Sequence, residues 1–172
     1  MSCRMEVYID GGCRSNGQDW AIGAAAACFK SQGGEWDQSW IMELPRGRYE
    51  RKPTSQRAEL SAVIMALNKI IEKANTLPTN AWPEVTIYTD SKYVVGCMRD
   101  WIVNWQQNNF RNANGKEVAN RDLIEEASDL DYDVLEMGSI AYVWIPREQN
   151  TFADRMCNVC LDRQERRITQ RH

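Results

Sequence analysis

Residues 54–71 read Thr-Ser-Gln-Arg-Ala-Glu-Leu-Ser-Ala-Val-Ile-Met-Ala-Leu-Asn-Lys-Ile-Ile. Leu60, Val63, Ile64, Leu67, Ile70 and Ile71 recur at three- and four-residue steps, so one face of a helix is apolar. Thr54 or Ser55 is a suitable cap, which puts Glu59 in the first turn or two. Upstream of Pro53 the pattern is different. Glu6 to Ile9 alternates and ends at Asp10-Gly11-Gly12, a strand followed by a turn. Ile22 to Phe29 and Trp36 to Leu44 read as two more strands, separated by the turn residues Ser31-Gln32-Gly33-Gly34. Three strands with short connections form an antiparallel meander.

Downstream of the helix, Pro78 and Pro83 bracket a loop, and Val85 to Thr89 is a buried strand ending at Asp90. Helical segments follow from Ser91 to about Gln107 and from about Arg121 to Leu130, separated by a polar, asparagine-rich stretch. Ile140 to Ile145 is a last strand, closed by Pro146, and Thr151 onward is a final helix. Strands alternating with helices after an antiparallel start define an α/β layer fold around a mixed sheet.

The 172 residues suit a single domain, since no linker, repeat or low-complexity tract divides them. No signal peptide or transmembrane segment is legible, so a soluble chain of the cytoplasm or nucleus is expected, acting as a monomer with no membrane contact. Six cysteines in such a chain are expected to be free thiols. Cys157 and Cys160 have zinc-site spacing, but they fall inside a helix with no second Cys/His pair to complete four ligands. The net charge of -3 disfavours phosphate binding by the bare chain. Two divalent cations on four carboxylates would turn it to about +1. The tail from Arg163 to His172 reads as a solvated helix end, because Asp162 and Glu165 interrupt its charge.

Asp10 and Asp90 each follow a strand, and Asp154 falls in the first turn of the last helix; such positions gather at one edge of an α/β sheet. Glu59 can lie over the same edge. Four carboxylates with no Lys or Arg between them repel one another, and hard cations relieve this. Oxygen ligands select magnesium or manganese over zinc. Singly, each acid has an ordinary structural role as turn former or helix-terminal charge.

The residues around all four acids resemble ribonuclease H of type 1. The matching blocks are 8–13 (YIDGGC), 54–60 (TSQRAEL), 88–94 (YTDSKYV), 101–105 (WIVNW), 115–123 (GKEVANRDL) and 153–155 (ADR), in the family's order. The resemblance implies a five-stranded mixed sheet flanked by helices, three strands antiparallel and the others parallel. It also implies hydrolysis of the RNA strand of RNA/DNA hybrids, leaving 5′-phosphate and 3′-hydroxyl ends. Two Mg2+ ions, or Mn2+, would be held by Asp10, Glu59, Asp90 and Asp154. By the same resemblance Cys13, Ser15, Asn16, Ser55 and Gln56 read the 2′-hydroxyl and minor groove, the feature that marks RNA. Lys52, Thr54 and Asn120 hold a DNA phosphate, while Tyr93, Trp101 and Trp105 line a channel for DNA sugars. Trp and Tyr at helical spacing are equally core residues, and Asn120 is equally a helix cap.

Two departures stand out. The loop 146–153 (PREQNTFA) lacks the histidine many relatives carry there, and resembles a subgroup with a Pro-Arg-Glu-x-Asn loop. Chemistry carried by the metals alone, lower turnover and no histidine limb in the pH profile are expected. The protrusion from Gln106 to Lys116 holds only Arg111 and Lys116 as cations, so a shallow salt dependence is expected. Two other readings stay open beside an active hybrid nuclease. One is a catalytically silent hybrid-binding module, against which the complete acid set counts. The other is the ribonuclease H domain of a retroelement reverse transcriptase; the start at Met1 and the tryptophan-bearing protrusion favour a free-standing enzyme instead.

Overall fold

A computed structural model describes residues 1–171; His172, with which the basic tail ends, lies outside the described residues. Five strands form one sheet: β1 (Ser2–Arg14), β2 (Ile22–Lys30), β3 (Trp36–Glu43), β4 (Trp82–Thr89) and β5 (Ser139–Trp144), in the order β3-β2-β1-β4-β5. β1, β2 and β3 pair antiparallel, while β4 pairs parallel with both β1 and β5. The sheet is the expected mixed one.

The long helix α1 (Ser55–Ala74) starts at Thr54, whose hydroxyl oxygen accepts from the Arg57 N–H at 3.1 Å. Its apolar stripe, Leu60, Val63, Leu67 and Ile70, is fully buried against Val7, Ile9, Ala25, Ala27, Val85 and Ile87 on one face of the sheet. The other face is covered in part by α5 (Thr151–Gln170). Strand β2 serves both layers with small residues. Ala25 and Ala27 face α1, whereas Ala24 and Ala26 face Cys157, Cys160 and Leu161 of α5. The C-x-x-C pair is thus packed in an apolar layer, and all six cysteines are free thiols. Burial pushes the Cys157 thiol well above its ordinary range.

Four segments differ from the sequence reading. Strand β1 does not turn at Asp10-Gly11-Gly12 but continues to Arg14, with Gly11 opposite Ala25 and Gly12 opposite Ala24. The glycines serve packing here, not a bend. A Cβ on Gly11 would lie 2.3 Å from the Ala58 carbonyl and 2.4 Å from the Glu59 nitrogen. Strand β4 begins at Trp82 and includes Pro83, opposite Cys3. The segment expected as one helix from Ser91 is split into α2 (Lys92–Val95), a π-helical turn at Gly96–Trp101 and α3 (Ile102–Gln107). The wider turn lets the Trp101 ring lie where a side chain on Gly96 would be, at 2.5 Å. Helix α4 (Arg121–Met137) runs past Leu130 to Gly138, since Ala127 and Val134 continue its buried face.

A methyl group on Gly11 must separate β1 from α1. Gly11→Ala is expected to cost about 3 kcal/mol, lowering the melting temperature by roughly 6–12 °C at this chain length. A melting temperature unchanged by thermal denaturation would show that the strand and helix are not in forced contact.

Candidate active site

The register of the parallel pair sets the first two acids. Ile9 lies opposite Thr89, so Asp10 and Asp90 are the next residues along neighbouring strands. Side chains alternate along a strand, and Ile9 and Thr89 are buried beneath α1; Asp10 and Asp90 therefore point to the α5 face. Asn150, at the start of α5, fixes the third. Its amide Nδ2 donates to the Ile9 carbonyl at 2.9 Å, and its own carbonyl accepts from the Asp154 N–H at 3.1 Å. Asp154 is thereby held one turn above β1. Glu59 arrives from α1 by the close approach at Gly11, and the Ser91 hydroxyl donates to its Oε2 at 2.7 Å.

The electrostatics follow from this crowding. Burial, then Asp90 and Asp154, push the Asp10 carboxyl up to about 8. Asp154 thus lies near enough to Asp10 to add to the penalty on its charge. Burial likewise raises Glu59 and Asp90, opposed at Glu59 by the Ser91 hydrogen bond and at Asp90 by one from Asn150. Arg147 also lowers both, so the cluster is not free of cations as the sequence reading held. Arg147 comes from the loop 146–153, and spacing alone gives no sign of its direction.

Among the described residues no three acidic, thiol or imidazole groups are close enough to hold one metal ion as the side chains stand. The donor chemistry nevertheless suits hard divalent cations. The carboxylates are mutually destabilised, and positive charge among them relieves that repulsion. The Asn150 Oδ1, buried without a hydrogen-bond partner, adds an unsatisfied oxygen beside them.

The other residues singled out in sequence fall into three groups. Cys13, half-buried at the end of β1, points its thiol at the Pro53 carbonyl at 3.5 Å. Ser15, in the left-handed region with φ 59°, and Asn16 are in the exposed connection that follows, while Ser55 and Gln56 open α1. Lys52 is ion-paired with Asp19 rather than free, and the Thr54 hydroxyl is engaged as the cap of α1. Asn120 precedes α4 but makes no capping bond. With φ 62° it instead aims Nδ2 at the Gln56 Oε1 and the Tyr93 hydroxyl, 3.2 and 3.1 Å away. Tyr93, Trp101 and Trp105 form a run of rings with centroids 6.4 and 5.8 Å apart. Trp101 is 43% exposed, so it is not a core residue, whereas Trp105 packs partly against the core.

Sequence reasoning passed over Arg57 and Asp122. Arg57 makes a two-pronged pair with Asp122 at 2.8 and 2.9 Å, and Arg51 joins at 3.0 Å, tying α1 to α4 beside Asn120. Nothing in their spacing marks the pair, because 65 residues separate them.

A mixed α/β sheet with an acidic cluster over its edge is the architecture of a class of hydrolytic enzymes. The family described as RNase H matches residues 2–159. A ribonuclease H of Clostridium botulinum is 29% identical over 161 residues, covering 91% of this chain and 94% of that protein. One of Schizosaccharomyces pombe is 34% identical over 129 residues, 75% of this chain but 42% of that longer protein. Among solved structures, LC11-RNase H1 in complex with an RNA/DNA hybrid superposes with a TM-score of 0.65 at 21% identity. The superposition covers 93% of this chain and 98% of that one. The chain belongs to the RNase H family, and is an enzyme of that family. No helix of the described residues is long and apolar enough to cross a membrane.

The raised Asp10 carboxyl has a consequence for stability without metal. A carboxyl held at about 8 in the fold, against 3.8 ordinarily, favours the folded state fully only below about 4. That contribution is lost as pH rises through 8. Chelator-treated protein is expected to melt progressively lower from pH 5 to pH 8, and Asp10→Asn to melt several degrees above the parent at pH 8. Asp10→Asn melting below the parent there would contradict the placement of Asp10.

Proposed function

We propose that the protein hydrolyses the RNA strand of RNA/DNA hybrids, leaving 5′-phosphate and 3′-hydroxyl ends, with Asp10, Glu59, Asp90 and Asp154 holding two Mg2+ ions. The observation that carries this reading is the position of Asp10 between Asp90 and Asp154, buried and pushed up to about 8. A site this hostile to its own negative charge is poised to take up cations. When bound, a pair of such ions activates the attacking water and stabilises the leaving oxygen. Mn2+ offers the same hard coordination.

The chain's own residues account for selectivity and positioning. Cys13, Ser15, Asn16, Ser55 and Gln56 border the acids and read the RNA 2′-hydroxyl and the minor groove. Asn120 donates both Nδ2 hydrogens, to Gln56 and Tyr93, so it meets a phosphate of the DNA strand, together with Thr54 and Lys52, by giving up one of those bonds. Release of Lys52 from Asp19 accompanies that contact. Tyr93, exposed Trp101 and Trp105 offer ring faces to the DNA sugars. Arg147, near Glu59 and Asp90, moderates the acids from the loop where relatives carry a histidine.

One incubation tests the reading. Labelled RNA/DNA hybrid, double-stranded RNA and double-stranded DNA are treated with magnesium and either the parent or Asp90→Asn. Cleavage is expected only in the RNA of the hybrid and is expected to fall at least ~10³-fold in the variant. Hybrid binding without cleavage by the parent would make the protein a recognition module instead. Cleavage undiminished in Asp90→Asn would place the chemistry elsewhere.

A further inference from the structure

The carboxyl-terminal half of α5 carries Arg163, Arg166 and Arg167, with Asp162 and Glu165 among them, and Arg171 follows its last residue. In the fold the two acids are drawn to one side. Arg14, at the end of β1, pairs with both, at 2.8 Å from Asp162 and 2.9 Å from Glu165. The arginines on the other side meet Arg46, from the connection between β3 and α1. Arg46, Arg167 and Arg171 line a cleft of about 320 Å³ with Glu43 and the buried Gln164. A groove beside it adds Arg163 and Arg166. Across the cleft and groove five arginines face one carboxylate, Glu43, itself paired with Arg167, while Arg166 borders Asp162 and Glu165 as well. Among the described residues Arg46, Arg163, Arg166 and Arg171 form no ion pair. The protein carries a net charge of -3, so this concentration of cations is local and opposed to the overall balance.

The cleft is also placed by backbone. Its wall is fixed at the Gly23 carbonyl, which accepts from the Leu44 N–H at 3.0 Å and from the Gln164 amide at 2.8 Å. Gly23 is the partner of Cys13 across β1 and β2. The strand wall of the cleft, at Gly23 and Glu43, therefore lies one to two strand spacings, about 5–10 Å, from the end of β1 that carries Cys13. A duplex seated on Cys13, Ser15 and Asn16 and running toward β3 would bring its flanking phosphates to this surface. Guanidinium groups match phosphate oxygens two at a time, and arginine keeps its charge at every working pH.

We propose that this cleft is a second phosphate-binding site, gripping the backbone of the hybrid beyond the scissile bond; it rests on the hybrid reading above. It supplies at the far end of α5 the cations that the protrusion from Gln106 to Lys116 lacks. The shallow salt dependence expected from that protrusion then holds only for duplexes too short to reach the cleft.

Binding of labelled hybrids of about 8 and about 20 base pairs, with calcium in place of magnesium, is measured across a salt series for the full chain. For Arg46→Ala/Arg171→Ala the longer hybrid is expected to bind about 10-fold more weakly, with a log K against log salt slope shallower by about 1.8, two contacts' worth. The short hybrid is expected to bind as it does to the parent and, with magnesium restored, to be cleaved at the parent's rate. A charge-matched control, Arg4→Ala/Lys30→Ala, is expected to leave the slope for the longer hybrid in place. An unchanged slope in the cleft variant, an equal fall in the control, or an equal loss for both lengths overturns the cleft alone. A parent that binds neither hybrid overturns the cleft together with the hybrid reading.

Discussion

At Gly11 the sheet and the long helix touch backbone to backbone. Any side chain there would overlap the Ala58 carbonyl and the Glu59 nitrogen, so the contact exists only because residue 11 has none. Much of the site depends on that approach. Asp10 is the neighbour of Gly11 on one side, and Glu59 is the neighbour of Ala58 on the other; closing the gap sets the backbones of these two acids side by side, and Asp90 is the carboxylate that acts on both. The parallel register of β1 with β4 adds Asp90, and the Asn150 amide on the Ile9 carbonyl adds the start of α5 with Asp154. Four carboxylates converge because three unrelated backbone constraints meet at the same few residues of β1.

Convergence has an electrostatic cost that the chain meets only partly. Ser91, Asn150 and Arg147 each lower one or two of the acids, yet burial and mutual repulsion win at Asp10. The fold itself is held elsewhere, by the apolar stripe of α1 and the small residues of β2, which let helices close on both faces of the sheet. The molecule can therefore hold a destabilised cluster without losing its core. The same separation appears in the basic surface. Arg14 pairs with Asp162 and Glu165, which leaves Glu43 as the one carboxylate lining the cleft of Arg46, Arg167 and Arg171.

The architecture was legible because its signals are periodic. The stripe from Leu60 to Ile71 gave α1, the alternation in the amino-terminal segments gave the meander, and Thr54 gave the cap. The six family blocks pointed to the family that the comparison bears out. What was not legible depends on contacts between distant residues. Gly11 and Gly12 look like a turn in sequence, since nothing local says that helices press on them. Asn120 looks like a cap, and only its left-handed backbone reveals that its amide faces Gln56 and Tyr93. Arg57 with Asp122, Arg147 beside the acids, and Arg14 with Asp162 and Glu165 likewise appear only once the chain is folded.

The acids around Asp10 are proposed as the receptacle for a pair of divalent cations. Manganese binding, counted by electron paramagnetic resonance at pH 8 with a non-cleavable hybrid present, tests it most directly. The account predicts two bound ions per chain, and loss of at least one in Asp10→Asn. Uptake of no ion, or equal uptake by Asp10→Asn, would contradict it.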